Sequence, residues 1–139
     1  MNAAALLVVL VGPVAGSFLG VLVDRLPRGE DVVARPSSCR SCGARLGPLS
    51  LVPILSWLAL RGRCASCGAP IPPMLLYLEI LGAGAGVLAV AAGGGVAQVW
   101  ASALFLWLLL GLGACDARWF RLPDMLIAAL AVPAVYLSA

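Results

Sequence analysis

Histidine and lysine are absent from this chain of 139 residues, and only 11% of its residues carry charge. Without histidine, a Ser-His-Asp or Cys-His catalytic arrangement is excluded, as is any His-ligated metal. The shortage of charge is equally informative. Apolar residues make up 63% of the chain, against about 45–50% in a soluble domain that is about 25% charged. A soluble globular domain and a disordered chain are both excluded on that ground. The nine basic residues are all arginines, for a formal net charge of +3. Seven lie between Arg25 and Arg63, with only Arg118 and Arg121 elsewhere, so no general nucleic-acid-binding face is expected. Chemistry must rest on Cys, Asp, Glu or the backbone.

What remains reads as an all-α membrane protein. At about 20 apolar residues per crossing, the chain accommodates about four transmembrane helices and one polar segment. The first apolar stretch covers residues 3–23 and lacks the basic n-region of a signal peptide. Arg25 and Arg28 follow it, so the positive-inside rule puts Met1 outside and Arg25 in the cytoplasm. Residues 24–73 hold most of the charge. Pro72 and Pro73 suit the first turn of a second span, from about Met74 to Ala92. The turn Gly93-Gly94-Gly95 carries no charge, a third span runs from about Ala97 to Cys115, and Arg118 and Arg121 return the chain to the positive side. A fourth span starts at Leu122 and is near the lower length limit for crossing. The expected division is residues 1–23, 24–73 and 74–139: a first helix, a cytoplasmic cysteine domain, and helices two to four.

Within the polar segment, Cys39-Arg40-Ser41-Cys42-Gly43-Ala44 and Cys64-Ala65-Ser66-Cys67-Gly68-Ala69 repeat one pattern, with 21 residues between Cys42 and Cys64. Two C-x-x-C knuckles at that separation point to a structural zinc held by Cys39, Cys42, Cys64 and Cys67. The glycine after each pair permits the turn that aims amides at sulfur. Arg40, Arg45, Arg61 and Arg63 lie close enough in sequence to offset the negative charge of a zinc tetrathiolate. Ligand type alone leaves iron open, and a pair of disulfides remains the alternative in an oxidising compartment. About 50 residues have too small a core to fold unaided, which favours a metal as staple over a metal as catalyst. Cys115, in an apolar helix, reads as a small hydrophobe.

Three acids fall in or beside apolar helices: Glu79, Asp116 and Asp124. Such groups are functional candidates by default. On one straight helix, Asp116 and Asp124 would stand about 12 Å apart along the axis, whereas a proton-sharing dyad needs about 3 Å. They are poorly placed as a pair unless the chain folds back between them. Asp124, after Pro123, also suits the start of a helix, and Asp116 a solvated helix end. Glu79 is a candidate anchor for an arginine of the cysteine segment. The G-x-G-x-G of Gly82, Gly84 and Gly86 follows no strand, and points to close helix packing rather than a nucleotide site.

Several segments together resemble the type IV prepilin peptidases, membrane aspartic peptidases that also act as N-methyltransferases. Gly16-Ser17-Phe18-Leu19 with Arg25-Leu26-Pro27 resembles the first helix and its exit. Ser38 to Gly68, with Ile54-Leu55-Ser56-Trp57 and Arg61-Gly62-Arg63-Cys64, is similar to the family's cytoplasmic zinc domain. Ile71 to Gly82 follows with Glu79, although Leu75 stands where a Tyr is usual. Asp116 with Leu122-Pro123-Asp124 is similar to the first catalytic aspartate motif. The resemblance implies that Asp116 and Asp124 are the candidate catalytic residues, with Asp116 as the first catalytic acid. It further implies structural zinc, S-adenosylmethionine as methyl donor, prepilin or pseudopilin substrates of pilus and type II secretion systems, and a place in the bacterial inner membrane with the N-terminus outside.

Family members carry about twice as many helices and a second aspartate in a G-x-G-D motif, and these 139 residues contain no such motif. Three expectations follow: a portion of a longer enzyme, a second chain that supplies the aspartate, or a degenerate relative. The apolar end of the chain favours the first. The rival function is a non-catalytic, zinc-stapled scaffold in pilus or secretion assembly. A transporter is weaker, because so few polar groups lie inside the spans.

Overall fold

The computed structural model describes residues 3–139; Met1 and Asn2, with the expected outside position of the N-terminus, lie outside the described residues. Apolar runs without β-alternation produce helices: α1 (Ala3–Arg25), α2 (Leu55–Ala59), α3 (Pro73–Ala92), α4 (Val96–Trp119) and α5 (Asp124–Ser138). Single turns of 3-10 helix cover Leu26–Arg28 and Pro48–Leu51. Among the described residues there are no strands, only isolated bridges of Ser38 with Arg45 and of Arg63 with Pro70.

Among the described residues, three segments are long and apolar enough to cross a bilayer: Ala3–Arg28, Pro73–Ala92 and Val96–Trp119. The fourth apolar helix, α5, has 15 residues. That is roughly 22 Å of helix against a hydrocarbon core of about 30 Å. The four form an up-and-down bundle. At one end, Trp119 Nε1 of α4 donates to the Val23 carbonyl of α1 at 2.8 Å. At the other, Ala4 and Ala5 of α1 lie with Gly93, Val96 and Trp100 around a small hollow.

Glycine decides how tightly α1 and α3 pack. A Cβ at Gly12 would stand 2.5 Å from the Gly82 carbonyl oxygen, one at Gly86 would stand 2.9 Å from that of Val8, and one at Gly16 would overlap the Leu78 carbonyl. Gly82 and Gly86 are thus packing residues, as the sequence implied, whereas Gly84 faces open space. The same contact lets the indole of Trp107 in α4 reach the Gly82 carbonyl at 2.8 Å, which satisfies a donor that hydrocarbon would leave unpaired. Val8, Leu19, Ala85, Ala89, Ala103 and Trp107 form one half of the core. Val23, Leu78, Leu112, Cys115 and Leu126 form the other. Cys115 is fully buried there, as a small hydrophobe.

The fourth apolar helix starts at Asp124 instead of Leu122, and two helix C-termini also differ from the sequence reading. The first helix continues to Arg25 instead of Val23, then tightens to 3-10 and stops at Gly29, whose φ is 67°. The third apolar helix continues past Cys115 to Trp119, because Asp116, Ala117 and Arg118 contain no breaker. It ends where Phe120 adopts a left-handed conformation, φ 51°. Asp116 therefore sits inside the last turn of α4 rather than at its end.

Candidate functional site

The two cysteine knuckles fold alike. In each, the first cysteine's N–H donates to the carbonyl of the alanine five residues on (Cys39 to Ala44 at 2.9 Å, Cys64 to Ala69 at 2.8 Å). Gly43 and Gly68, both at φ 71°, close the turns through their N–H groups to the Cys39 and Cys64 carbonyls. Glycine is the residue that adopts this left-handed geometry without strain. The Ser66 N–H points at Cys64 Sγ, 3.4 Å away.

The four sulfurs of Cys39, Cys42, Cys64 and Cys67 lie within 4.8 Å of one another, and Cys39 Sγ and Cys67 Sγ are 3.8 Å apart. A tetrahedron with Zn–S bonds of about 2.3 Å has edges of about 3.8 Å, so the cluster fits a metal ion of that size. All five cysteines are free thiols. Backbone amides prepare the cluster electrically. The N–H groups of Cys42 and Ser41 lower the Cys39 thiol to about 6, and those of Cys67 and Ser66 lower Cys64. At Cys67 the Ala69 N–H pulls downward, but Cys42, burial and the other two thiols outweigh it and raise the group to about 11. Crowded thiols resist a further negative charge until a cation joins them.

An ionic clamp holds the knuckle against the helix bundle. Arg40, between two cluster residues, forks onto Glu30 at 2.9 Å through both terminal nitrogens and reaches Asp24 Oδ2 through Nε at 3.0 Å. Arg28 binds the other Asp24 oxygen at 3.3 Å. The Arg40 bond, opposed in part by burial, holds the Glu30 carboxyl below its usual range. In return, Glu30 and Asp24 raise Arg40. The expectation that Arg40 offsets the metal's charge is corrected here: its guanidinium is committed to these carboxylates. Arg25, 7% exposed, donates to the carbonyls of Asp31, Arg35 and Pro36 at 3.0, 2.6 and 3.1 Å, and so wraps the segment after α1 around the helix end.

Glu79 also differs from expectation. Among the described residues it holds no arginine. Its Oε2 accepts the Ile54 backbone N–H at 2.6 Å. Ile54 has φ 64° and ψ −54°, and the Leu55 N–H closes on the Pro53 carbonyl at 2.6 Å. This is a γ-turn of the strained, positive-φ kind, unusual for a β-branched residue. The carboxylate takes the donor that such a turn leaves buried.

The structure brings Asp116 and Asp124 to one end of the bundle. The turn through Phe120 and Pro123 folds α5 back along α4, so that Leu126 lies beside Gly111 and packs with Leu112 and Cys115. The straight-helix separation of the two acids does not apply. Both are exposed, and among the described residues neither carboxylate makes a hydrogen bond or ion pair. Asp124 is the first residue of α5 after Pro123; its side chain makes no capping bond, which leaves the interaction with the helix dipole.

Sequence reasoning missed Asp24, Glu30 and the strained turn at Ile54. The i,i+4 spacing of Asp24 and Arg28 was the one visible signal.

Comparison with known proteins adds the following. The family model described as "Bacterial Peptidase A24 N-terminal domain" matches residues 10–92. A prepilin leader peptidase/N-methyltransferase of Myxococcus xanthus is 40% identical over 77 residues, covering 55% of this chain and 23% of the relative. Proteins of the same name from Dichelobacter nodosus and Aeromonas hydrophila are 30% and 33% identical, covering 80% and 86% of this chain and 48% and 50% of their own length. The chain thus spans about half the length of these two relatives. No solved structure matches it.

Proposed function

Because the chain belongs to the bacterial peptidase A24 N-terminal domain family, we propose that this membrane protein forms the first half of a prepilin peptidase active site. Asp116 is the first catalytic carboxylate. Its partner is an aspartate in a G-x-G-D motif outside these 139 residues, on a further segment or a second chain. Aspartic chemistry needs two carboxylates so close that only one ionises; one takes a proton from water while the other polarises the scissile carbonyl. Asp124 assists from the start of α5. The observation that carries this reading is the return of α5, which gathers Asp116 and Asp124, both exposed, at the same bundle end as the Trp119–Val23 contact.

Three functional parts follow: residues 1–23 as the first membrane helix, 24–73 as a cytoplasmic zinc domain, and 74–139 as helices two to four with the aspartates. Zinc on the four cysteines staples the domain. The N-terminus lies outside the bacterial inner membrane, and the substrate is a prepilin or pseudopilin cut at its leader junction on the cytoplasmic side. The relatives' name includes N-methyltransferase; S-adenosylmethionine is the corresponding methyl donor. The test is leader cleavage by the membrane-reconstituted chain, with and without a fragment that carries a G-x-G-D motif. Cleavage is expected only with the fragment and is lost in Asp116→Asn. Cleavage by the chain alone that requires Asp116 indicates a dimeric site instead, and no cleavage in either mixture indicates the non-catalytic scaffold.

A further inference from the structure

Residues 46–60 of the cysteine domain carry no charged side chain, yet much of the segment is uncovered. Leu49 is 84% exposed, Leu55 66% and Leu58 56%, and Leu51 and Val52 are open as well. Leu55 and Leu58 stand three apart on α2 and so share a face. A contiguous apolar patch on a polar domain marks a contact surface, and none of these residues belongs to the metal cluster or the acid pair. Arg45 and Arg61 bracket the run. Both are exposed, and neither joins the ion pairs around Arg40.

A second observation gives the depth of this patch. The 20 residues of α3 make a helix about as long as the hydrocarbon core is thick, about 30 Å. Glu79 lies about 9 Å along that helix from Pro73, and its side chain leans back towards the helix start. Glu79 Oε2 accepts the Ile54 N–H at 2.6 Å. The bond pins the segment beside the first turns of a membrane helix instead of leaving it out in water. Amphipathic segments at an interface lie about 5–10 Å into the boundary of head groups and acyl chains, which is the depth this bond sets.

The backbone of the segment is suited to scarce water. Pro48 and Pro53 have no N–H to satisfy. The N–H groups of Ser50, Leu55, Ser56 and Leu58 donate to the carbonyls of Gly47, Pro53, Val52 and Ile54 at 2.6–3.1 Å, and Glu79 takes that of Ile54. Such pairing is what a segment needs where water does not reach its polar groups. We propose that residues 48–59 lie in the interfacial layer of the lipid bilayer, with Leu49, Leu55 and Leu58 against the acyl chains. Arg45 and Arg61 reach out to the head groups at its edges. The cysteine domain is thereby moored to the membrane face as well as to the ends of α1 and α3. This mooring is independent of whether the chain cleaves a prepilin.

The test places the photoreactive side chain p-benzoylphenylalanine at Leu49 or Leu55, one at a time, in the full chain reconstituted into nanodiscs of dioleoylphosphatidylcholine. Leu10, exposed in the middle of α1, is the reference for contact with lipid. Ser66, exposed on a cysteine knuckle, controls for the probe's own affinity for the bilayer. After illumination, mass spectrometry should find phospholipid adducts at Leu49, Leu55 and Leu10 in yields several-fold above that at Ser66. With the probe at Leu49, Leu55→Glu should lower the lipid adduct several-fold, and Leu55→Phe should retain it. Metal content and helical circular dichroism confirm that each variant is folded. Yields at Leu49 and Leu55 no higher than at Ser66 overturn the proposal. Adducts formed mainly with a second copy of the chain also overturn it and assign the patch to self-association.

Discussion

Glu79 and Ile54, 25 positions apart, are joined by one short bond that ties the first turns of α3 to a strained loop of the cysteine domain. Glu79 is 8% exposed, and the turn it holds has a backbone conformation that isoleucine rarely adopts. Glu79→Ala leaves the part-buried Ile54 N–H without its acceptor and should destabilise the protein by about 1–3 kcal/mol. Glu79→Gln keeps an acceptor and should recover much of that. Thermal unfolding in detergent measures both, and limited proteolysis should show cleavage near residues 50–60 first in the alanine variant. Equal midpoints for the wild type and Glu79→Ala contradict the assignment.

The metal centre has a predictable acid sensitivity. Thiolates bind the metal and protons compete for them. The Cys42 and Ser41 amides lower the Cys39 thiol, so ionising this ligand costs little at neutral pH, whereas Cys67 is raised and resists ionisation until the cation joins it. Metal should be retained at neutral pH and released as pH falls into the acid range, which a chromogenic chelator follows. Any single Cys→Ser change in the cluster should lower the metal content, whereas Cys115→Ser should leave it near one ion per chain.

Helix contact offers a test with an internal control. Gly16→Ala and Gly82→Ala force a methyl group into backbone of the facing helix and should each cost about 1–3 kcal/mol. Gly84→Ala, two residues along the same helix, meets open space and should be neutral or slightly stabilising, since alanine is the better helix former. Unfolding midpoints that do not separate Gly82 from Gly84 contradict the packing.

The clamp between Arg40, Asp24 and Glu30 is exposed, so salt should loosen it. Glu30 has a lowered pKa in the folded state. Its contribution is therefore complete above the ordinary value of 4.5 and is lost as pH falls below it. Hydrogen exchange over residues 30–45 should quicken between 0.05 and about 0.5 M salt, and less so in Glu30→Gln, which has already lost the charge.

Asp124 and Asp116 should separate by assay. Asp124 begins α5, and Asp124→Asn should cost about 0.3–1 kcal/mol through the helix dipole and reduce cleavage in the complemented enzyme. Asp116→Asn should leave the unfolding midpoint in place and abolish cleavage. The reverse pattern would exchange their roles.

The cysteine cluster was legible because its information is local. A repeated C-x-S-C-G-A hexapeptide imposes the same turn twice, glycine included, and one ion is the simplest partner for four such sulfurs. The apolar helices were equally legible, since length and composition decide whether a segment suits a bilayer. Their packing was partly so: the spacing of Gly82 and Gly86 marked a close contact, and only the structure showed that Gly84 lies off it.

The partners of the charged groups were not legible, because sequence spacing does not determine which distant groups meet. Glu79 took a backbone N–H because a strained turn, set by the folding of residues 53–55, left that donor buried. Arg40 was read as a counter-charge for the metal, yet the exit of α1 presented Asp24 and Glu30 to it. Asp116 and Asp124 came to one bundle end only because Phe120 reversed the chain. The residue types and their local turns followed from the sequence by itself. Which of them meet was decided by the tertiary structure, since a buried or charged group takes the partner that the fold leaves within reach.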